Sequence, residues 1–378
     1  MSIFKNFNIA PADSPESSDV ITNVKDIVSS GMWADGAASL TSFFTSSVQS
    51  ASSANHYLDV YATNPQTDAN AKVQFSVTYG HIFGSGSLGR KGAVGNRASA
   101  AIYRQLSQTL LGPNEERFTF AGTGAHTTPD FIYAIAVSRQ QLREKMDPGN
   151  WEIHLSGSNE IGNNSGHIIK LIDDSNSTTD PKVNQGGRVF NIVSGSIQSG
   201  TAVLETGVTA TTQPGGAYGL FYPDVGILIF NGPILTASAS LGHGDGNQSA
   251  LNIAVNPGTG SNIEQGNVGK FYGAITGSSN PAGTSTPYFA ARREEVITSQ
   301  HYFCRIPNKE FNFSSNPSFA TASDGSFTQS TFFKNPKTFI TQVGLYNDAG
   351  ELLAVAKLSK PLLKSYSREA IIKVKLDF

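Results

Sequence analysis

Gly84-Ser-Gly-Ser-Leu-Gly89 has the residue types of a phosphate cradle. It matches G-x-G-x-x-G, follows a strand-like run and precedes a helical one, as a dinucleotide site requires. But glycines continue at Gly92 and Gly95, so the third motif glycine does not fall in the start of the helix. Pro113 and the polar Asn114-Glu-Glu-Arg117 break the expected βαβ unit. The stretch reads as a flexible loop, with Arg90 and Lys91 as contacts to an acidic neighbour subunit.

His56, His81, His126, His154, His167, His243 and His301 form no H-x-x-x-H or H-E-x-x-H pair. His301 and Cys304 are three apart, so on a strand they point to opposite faces. His243-Gly-Asp-Gly-Asn247 offers oxygens and one nitrogen but misses the EF-hand spacing, and reads as a surface turn. Asp173-Asp174 and Asp180 lie among Ser, Thr and Asn, as in a solvated loop. Glu152, Glu160 and Asp224 have no partner at a spacing that promotes a glycosidase pair. No G-x-S-x-G elbow is present. Cys304 follows Tyr302-Phe303, the setting of a buried, inert thiol. No catalytic, cofactor-binding or metal-binding residue is therefore expected.

The elements are mostly strands. Residues 1–56 read as an N-terminal arm and a lead-in element. Within it Ser17–Ser30 has Val20, Ile21, Val24 and Ile27 along one helical face, and Leu40–Val48 is strand-like. Residues 57–157 form the first α+β unit. Its strands are Tyr57–Tyr61, Val73–Phe83 and Phe131–Val137, with Trp151–Leu155 as the neighbour of the last. Its helix is Asn96–Leu111, capped by Asn96 and stopped by Gly112-Pro113. Residues 158–290 turn to Gly, Ser, Thr and Asn, with short runs at Arg188–Val193, Ala202–Leu204 and Gly226–Phe230. They suggest an inserted β-sandwich or barrel-like lobe. Tyr288–Gln300 reads as a short helix leading into residues 291–378. There Thr338–Tyr346, a turn at Asn347-Asp-Ala-Gly350, Glu351–Leu358 broken by Pro361, and Ala370–Phe378 predict a β-meander packing back on the α+β domain. In its last run Ile372, Val374, Leu376 and Phe378 share one face, which predicts a buried Phe378. The fold class expected is α+β, predominantly β, with antiparallel sheets and few helices.

Charged residues are 15%, against roughly 25% in ordinary soluble domains. Thirty-eight Gly and seventeen Pro favour turns and short strands. With a net charge of −2 and no basic patch beyond Arg292-Arg293, no nucleic-acid partner is expected. No apolar run approaches the roughly 18 residues of a membrane span, and no signal peptide is read at the N-terminus. One cysteine excludes an intramolecular disulfide and suits assembly in a reducing cytoplasm. Tyr218-Gly-Leu-Phe-Tyr222 reads as core, while Phe311-Asn-Phe313 suits core and interface equally.

The phrase from Phe339 to Leu358, closed by Ile371–Phe378, resembles the C-terminal module of structural proteins in large contractile-tailed phages. Tyr302-Phe-Cys-Arg305 and Phe311–Phe319 resemble the segment before it there. The likeness is to baseplate wedge components of T-even-type phages. It is good over about Gln300–Phe378, fainter over Tyr57–Gly157, and a looser echo occurs in tail-collar fibre proteins. It implies a virion building block without catalytic residues, assembled in the host cytoplasm with other baseplate and tail proteins in several symmetric copies. The alternative is a tail-fibre or receptor protein that reads glycans through shallow aromatic sites in residues 158–290. An enzyme such as a depolymerase is the third and weakest reading.

Overall fold

A computed structural model describes residues 20–46, 57–84, 98–122, 127–157, 167–178, 181–205, 216–236, 263–277, 287–321 and 324–377. The strands are β1 (Val20–Gly31), β2 (Ser39–Leu40), β3 (Phe44–Thr45), β4 (Tyr57–Tyr61), β5 (Val73–His81), β6 (Phe131–Val137), β7 (Lys145–Gly157), β8 (His167–Asp173), β9 (Lys182–Asn184), β10 (Gly187–Gln198), β11 (Thr201–Leu204), β12 (Gly219–Tyr222), β13 (Ile227–Asn231), β14 (Phe289–Ile306), β15 (Thr338–Tyr346), β16 (Leu352–Lys364) and β17 (Ala370–Asp377). The helices are α1 (Ala98–Leu110), α2 (Arg139–Leu142), α3 (Gly232–Thr236) and α4 (Ile263–Thr276). The fold is thus predominantly β, with antiparallel pairing and few helices. The chain divides into two compact units, Val28–Glu295 and the C-terminal Val296–Phe378 joined by Met1–Ile27.

In the larger unit the strands run in the order β14-β7-β8-β10-β12-β13-β6-β5-β4-β3. β2 adds to the start of β14, and β9 and β11 to β10. Apolar residues alternate to both faces, so both are covered. On one face lie Trp33, Phe75, Trp151, Phe221 and Phe289 with α4 residues Val268, Phe271 and Ile275. On the other lie Ile132, Ala134, Leu220 and Ile229 with α1 residues Tyr103 and Leu110. Helix α1 comes very close at Gly80, where a Cβ would stand 3.1 Å from the Tyr103 backbone nitrogen. A side chain there would have to push the helix back by a few tenths of an ångström.

Several expectations are corrected here. The described strands of the expected insert, residues 158–290, are woven into this sheet, because β8, β10, β12 and β13 lie between β7 and β6. Trp151–Leu155 is accordingly not the neighbour of Phe131–Val137; it pairs with β8 and β14. Residues 17–19 lie outside the described residues. The helix expected over Ser17–Ser30 is not formed from Val20 onward, where Val20–Gly31 is a strand. Its Val and Ile side chains, stiff at χ1, suit extended backbone better. Tyr288–Gln300 is not a helix either, for β14 runs unbroken from Phe289 to Ile306. The strand read at Leu40–Val48 is reduced to β2 and β3. Asn96 as a cap and the glycine loop from Ser85 onward lie outside the described residues.

The C-terminal unit has two layers. β17 pairs with β14, from Ser299↔Asp377 to Ile306↔Ala370. β15 and β16 form a separate two-stranded hairpin, turned by Asn347–Gly350, where Gly350 has φ 80° and its N–H donates to Asn347 O. The expected meander is therefore corrected: β17 leaves the hairpin and pairs with β14. Ile372 and Val374 are buried between the layers, as their alternation predicts, against Ile306, Ile340, Val343 and Leu358. Phe378 lies outside the described residues. Pro361 does not end the strand. Ile340 pairs with Leu362 and Gln342 with Lys357, so residues 358–361 bulge opposite Thr341, where no ladder N–H is needed.

Candidate interaction surface

Four of the acidic residues singled out above serve the fold. Asp173 and Asp174 are buried, correcting the solvated loop expected for them. Asp173 accepts the Gly149 N–H at 2.9 Å and the Ser175 N–H at 2.9 Å. Burial pushes its carboxyl up, with Asp174 adding to the rise, while these N–H groups pull it back down. Asp174 accepts the Asn191 N–H and its Nδ2, both at 2.8 Å. Asp224 accepts the Arg188 N–H at 2.9 Å and its guanidinium at 3.3 Å. Glu152 is shared between His154 and the Ile197 N–H. Glu160 and Asp180 lie outside the described residues.

Asp173, Asp174, Asp224 and Glu152 are each engaged by donors of the chain itself. Among the described residues, no three His, Cys, Asp or Glu side chains gather as metal ligands. His81 Nδ1 accepts the Phe83 N–H at 3.1 Å, and its ring stacks on Phe131. His301 pairs across β14 with Lys375, and Cys304 with Ile372. His56, His126 and His243 lie outside the described residues. Among the described residues, no helix is long and apolar enough to cross a membrane.

The aromatic clusters separate cleanly. Tyr218–Tyr222 is core: Tyr218, Leu220, Phe221 and Tyr222 are all buried. It offers no shallow site for a sugar. Phe311 and Phe313 are instead partly exposed, at the start of the long link between β14 and β15. That link is held by its own small core. Phe319 stacks on Phe332 at 5.0 Å and meets Phe313 and Phe327 edge-on. Thr338 Oγ1 donates to Phe311 O at 2.6 Å and ties the link to the start of β15. Beside Phe332, Phe333 is 80% exposed.

The hairpin carries apolar groups on both faces. Its inner face, Ile340, Val343, Leu345, Ala356, Leu358 and Leu362, closes the core of the unit. Its outer face carries Phe339, Tyr346, Leu352 and Val355. Leu353, at the register shift, is also exposed. The Tyr346 ring lies over Gly344, where a Cβ would meet its Cε2 at 2.9 Å. Monomers seldom leave such large apolar groups together in water; grouped ones mark contact surfaces. The sequence predicts strands for these residues but not an exposed apolar face. The missed signal is the run Leu352-Leu353-Ala354-Val355, apolar at both strand parities, which a strand needs only if both faces are to be covered. Compared with known protein families, curated proteins and solved structures, the chain finds no match.

Proposed function

We propose that this chain is a non-enzymatic structural subunit of a virion, a wedge-type component of the baseplate of a contractile phage tail. The observation that carries the reading is the exposed apolar outer face of the β15–β16 hairpin, in the segment where the sequence resembles such proteins. Two features support it. Each described buried carboxylate is spent on the fold, and the low charge leaves a surface suited to permanent packing. In this reading the hairpin and the Phe333 link dock against other baseplate and tail proteins, in several symmetric copies. The subunit holds some contacts and shifts others as rigid bodies when the baseplate changes shape. It engages neither nucleic acid nor membrane, uses no cofactor, and is assembled in the host cytoplasm. The test is co-expression with the other tail proteins of the same particle. The full chain is expected in a complex by sedimentation, and Leu353→Glu with Val355→Glu is expected to abolish it. A hydrolytic activity on glycan or peptide that one carboxylate substitution removes would overturn the reading.

A further inference from the structure

Lys364, the last residue of β16, is completely buried. Its Nζ donates to Asn308 O at 3.0 Å, Asn312 Oδ1 at 3.1 Å and Ser365 O at 3.1 Å. None of the three oxygens is charged. Asn312 is 8% exposed, and its Nδ2 donates to the same Asn308 carbonyl at 2.7 Å. A lysine amine and a primary amide, 52 residues apart in sequence, are thus held in contact away from water. Burial pushes the Lys364 ammonium below its ordinary value, opposed by the charges of Glu310 and Glu369. Glu310 stands two residues before Asn312.

We propose that Lys364 and Asn312 join through their side chains in an isopeptide bond that the folded chain forms by itself. The acceptor of one proton from the Lys364 ammonium in this scheme is the exposed Glu310 carboxylate, whose charge acts on it. The neutral Nζ then adds its lone pair to Cγ of Asn312, and the carbonyl π pair moves to Oδ1. A second Nζ proton passes to Nδ2, the Cγ–Nδ2 bond breaks, and ammonia leaves as the carbonyl re-forms. Ammonia takes up the proton held by Glu310. One ammonium and one primary amide become one secondary amide and one ammonium ion, so neither oxidant nor cofactor is needed. Amides resist amines in water. A contact that brings Nζ onto Cγ in attack geometry raises the effective concentration to about 10⁵ M or more, and that offsets the inertness. The bond closes a covalent ring from Asn312 to Lys364 that encloses β15 and β16.

Intact mass spectrometry of the denatured full-length protein tests this. The expected mass is below the sequence mass by one ammonia, and digestion is expected to give a branched peptide joining Asn312 to Lys364. Lys364→Arg and Asn312→Ala are expected at their full sequence masses. Asn312→Asp is expected lighter by one water, since its carboxylic acid can acylate the same amine. Glu310→Gln is expected to fold, by circular dichroism, yet stay at full mass or convert slowly with an altered pH profile. Full sequence mass in natively folded wild-type protein overturns the proposal and leaves Lys364 a caged ammonium. A lost ammonia without the branched peptide overturns it equally.

Discussion

Glu152 Oε1 stands 2.5 Å from Nε2 of His154, two residues along β7, while Oε2 receives the Ile197 N–H at 2.6 Å. The spacing of two puts both side chains on one face of the strand. Burial pushes the Glu152 carboxyl up. The hydrogen bonds from His154 and Ile197, with the charges of His154 and Lys170, outweigh that and hold it below its ordinary 4.5. A lowered folded pKa gives stability that is complete above the unfolded value and is lost as pH falls through the folded one. Wild-type protein is therefore expected to lose more stability than Glu152→Gln between about pH 5 and about pH 3, read from urea midpoints. Parallel curves would show that the pair adds nothing.

Asp173 leads to a second prediction. Asp173→Ala leaves the Gly149 and Ser175 N–H groups without this acceptor in a buried turn. At about 1–3 kcal/mol for each of the two orphaned donors, a loss of about 2–6 kcal/mol is expected in chemical denaturation. Asp173→Asn keeps one acceptor oxygen and is expected to cost less.

Phe289 ties the larger unit's aromatic core together. Its ring lies 4.8 Å from Trp33, 5.4 Å from Phe75 and 6.5 Å from Trp151. Phe289→Ala is expected to destabilise by about 3–5 kcal/mol, as large cavities do. A loss under about 1 kcal/mol would mean that the neighbours collapse into the space.

The hairpin surface makes the opposite prediction. Leu353 and Val355 are exposed, so Leu353→Glu and Val355→Glu are expected to change folding stability by no more than about 0.5 kcal/mol each. Their effect on assembly is expected to be large, about 2 kcal/mol or more, roughly a thirtyfold loss of affinity. Titration of the purified partner measures it.

Strands that carry their own alternation were legible in the sequence. β17, with Ile372 and Val374 inward and Lys373 and Lys375 outward, is the clearest, and β5 and β6 were placed as well. What failed were segments whose spacing suits two periods. Val20, Ile21, Val24 and Ile27 fit a helical face, but their branching at Cβ favours the strand they form. Arg292-Arg-Glu-Glu295 looks helical by composition, yet pairing with β7 and β17 fixes β14 as extended. Pairing order was not legible, because whether β7 lies beside β6 or β14 depends on contacts far along the chain. Asp173 and Asp174 looked solvated for the same reason: their donors, Gly149 and Asn191, come from other strands.

The register of β14 with β17 sets how the C-terminal unit responds to tension. The chain enters this pair beside Ser299 and leaves it beside Asp377, and those two residues face each other. A pull on the chain at both points therefore loads one rung at a time, from Ser299–Asp377 toward Ile306–Ala370. The pair opens like a zip, and as it does so Val374 and Ile372 are drawn off the inner face of the β15–β16 hairpin that covers them.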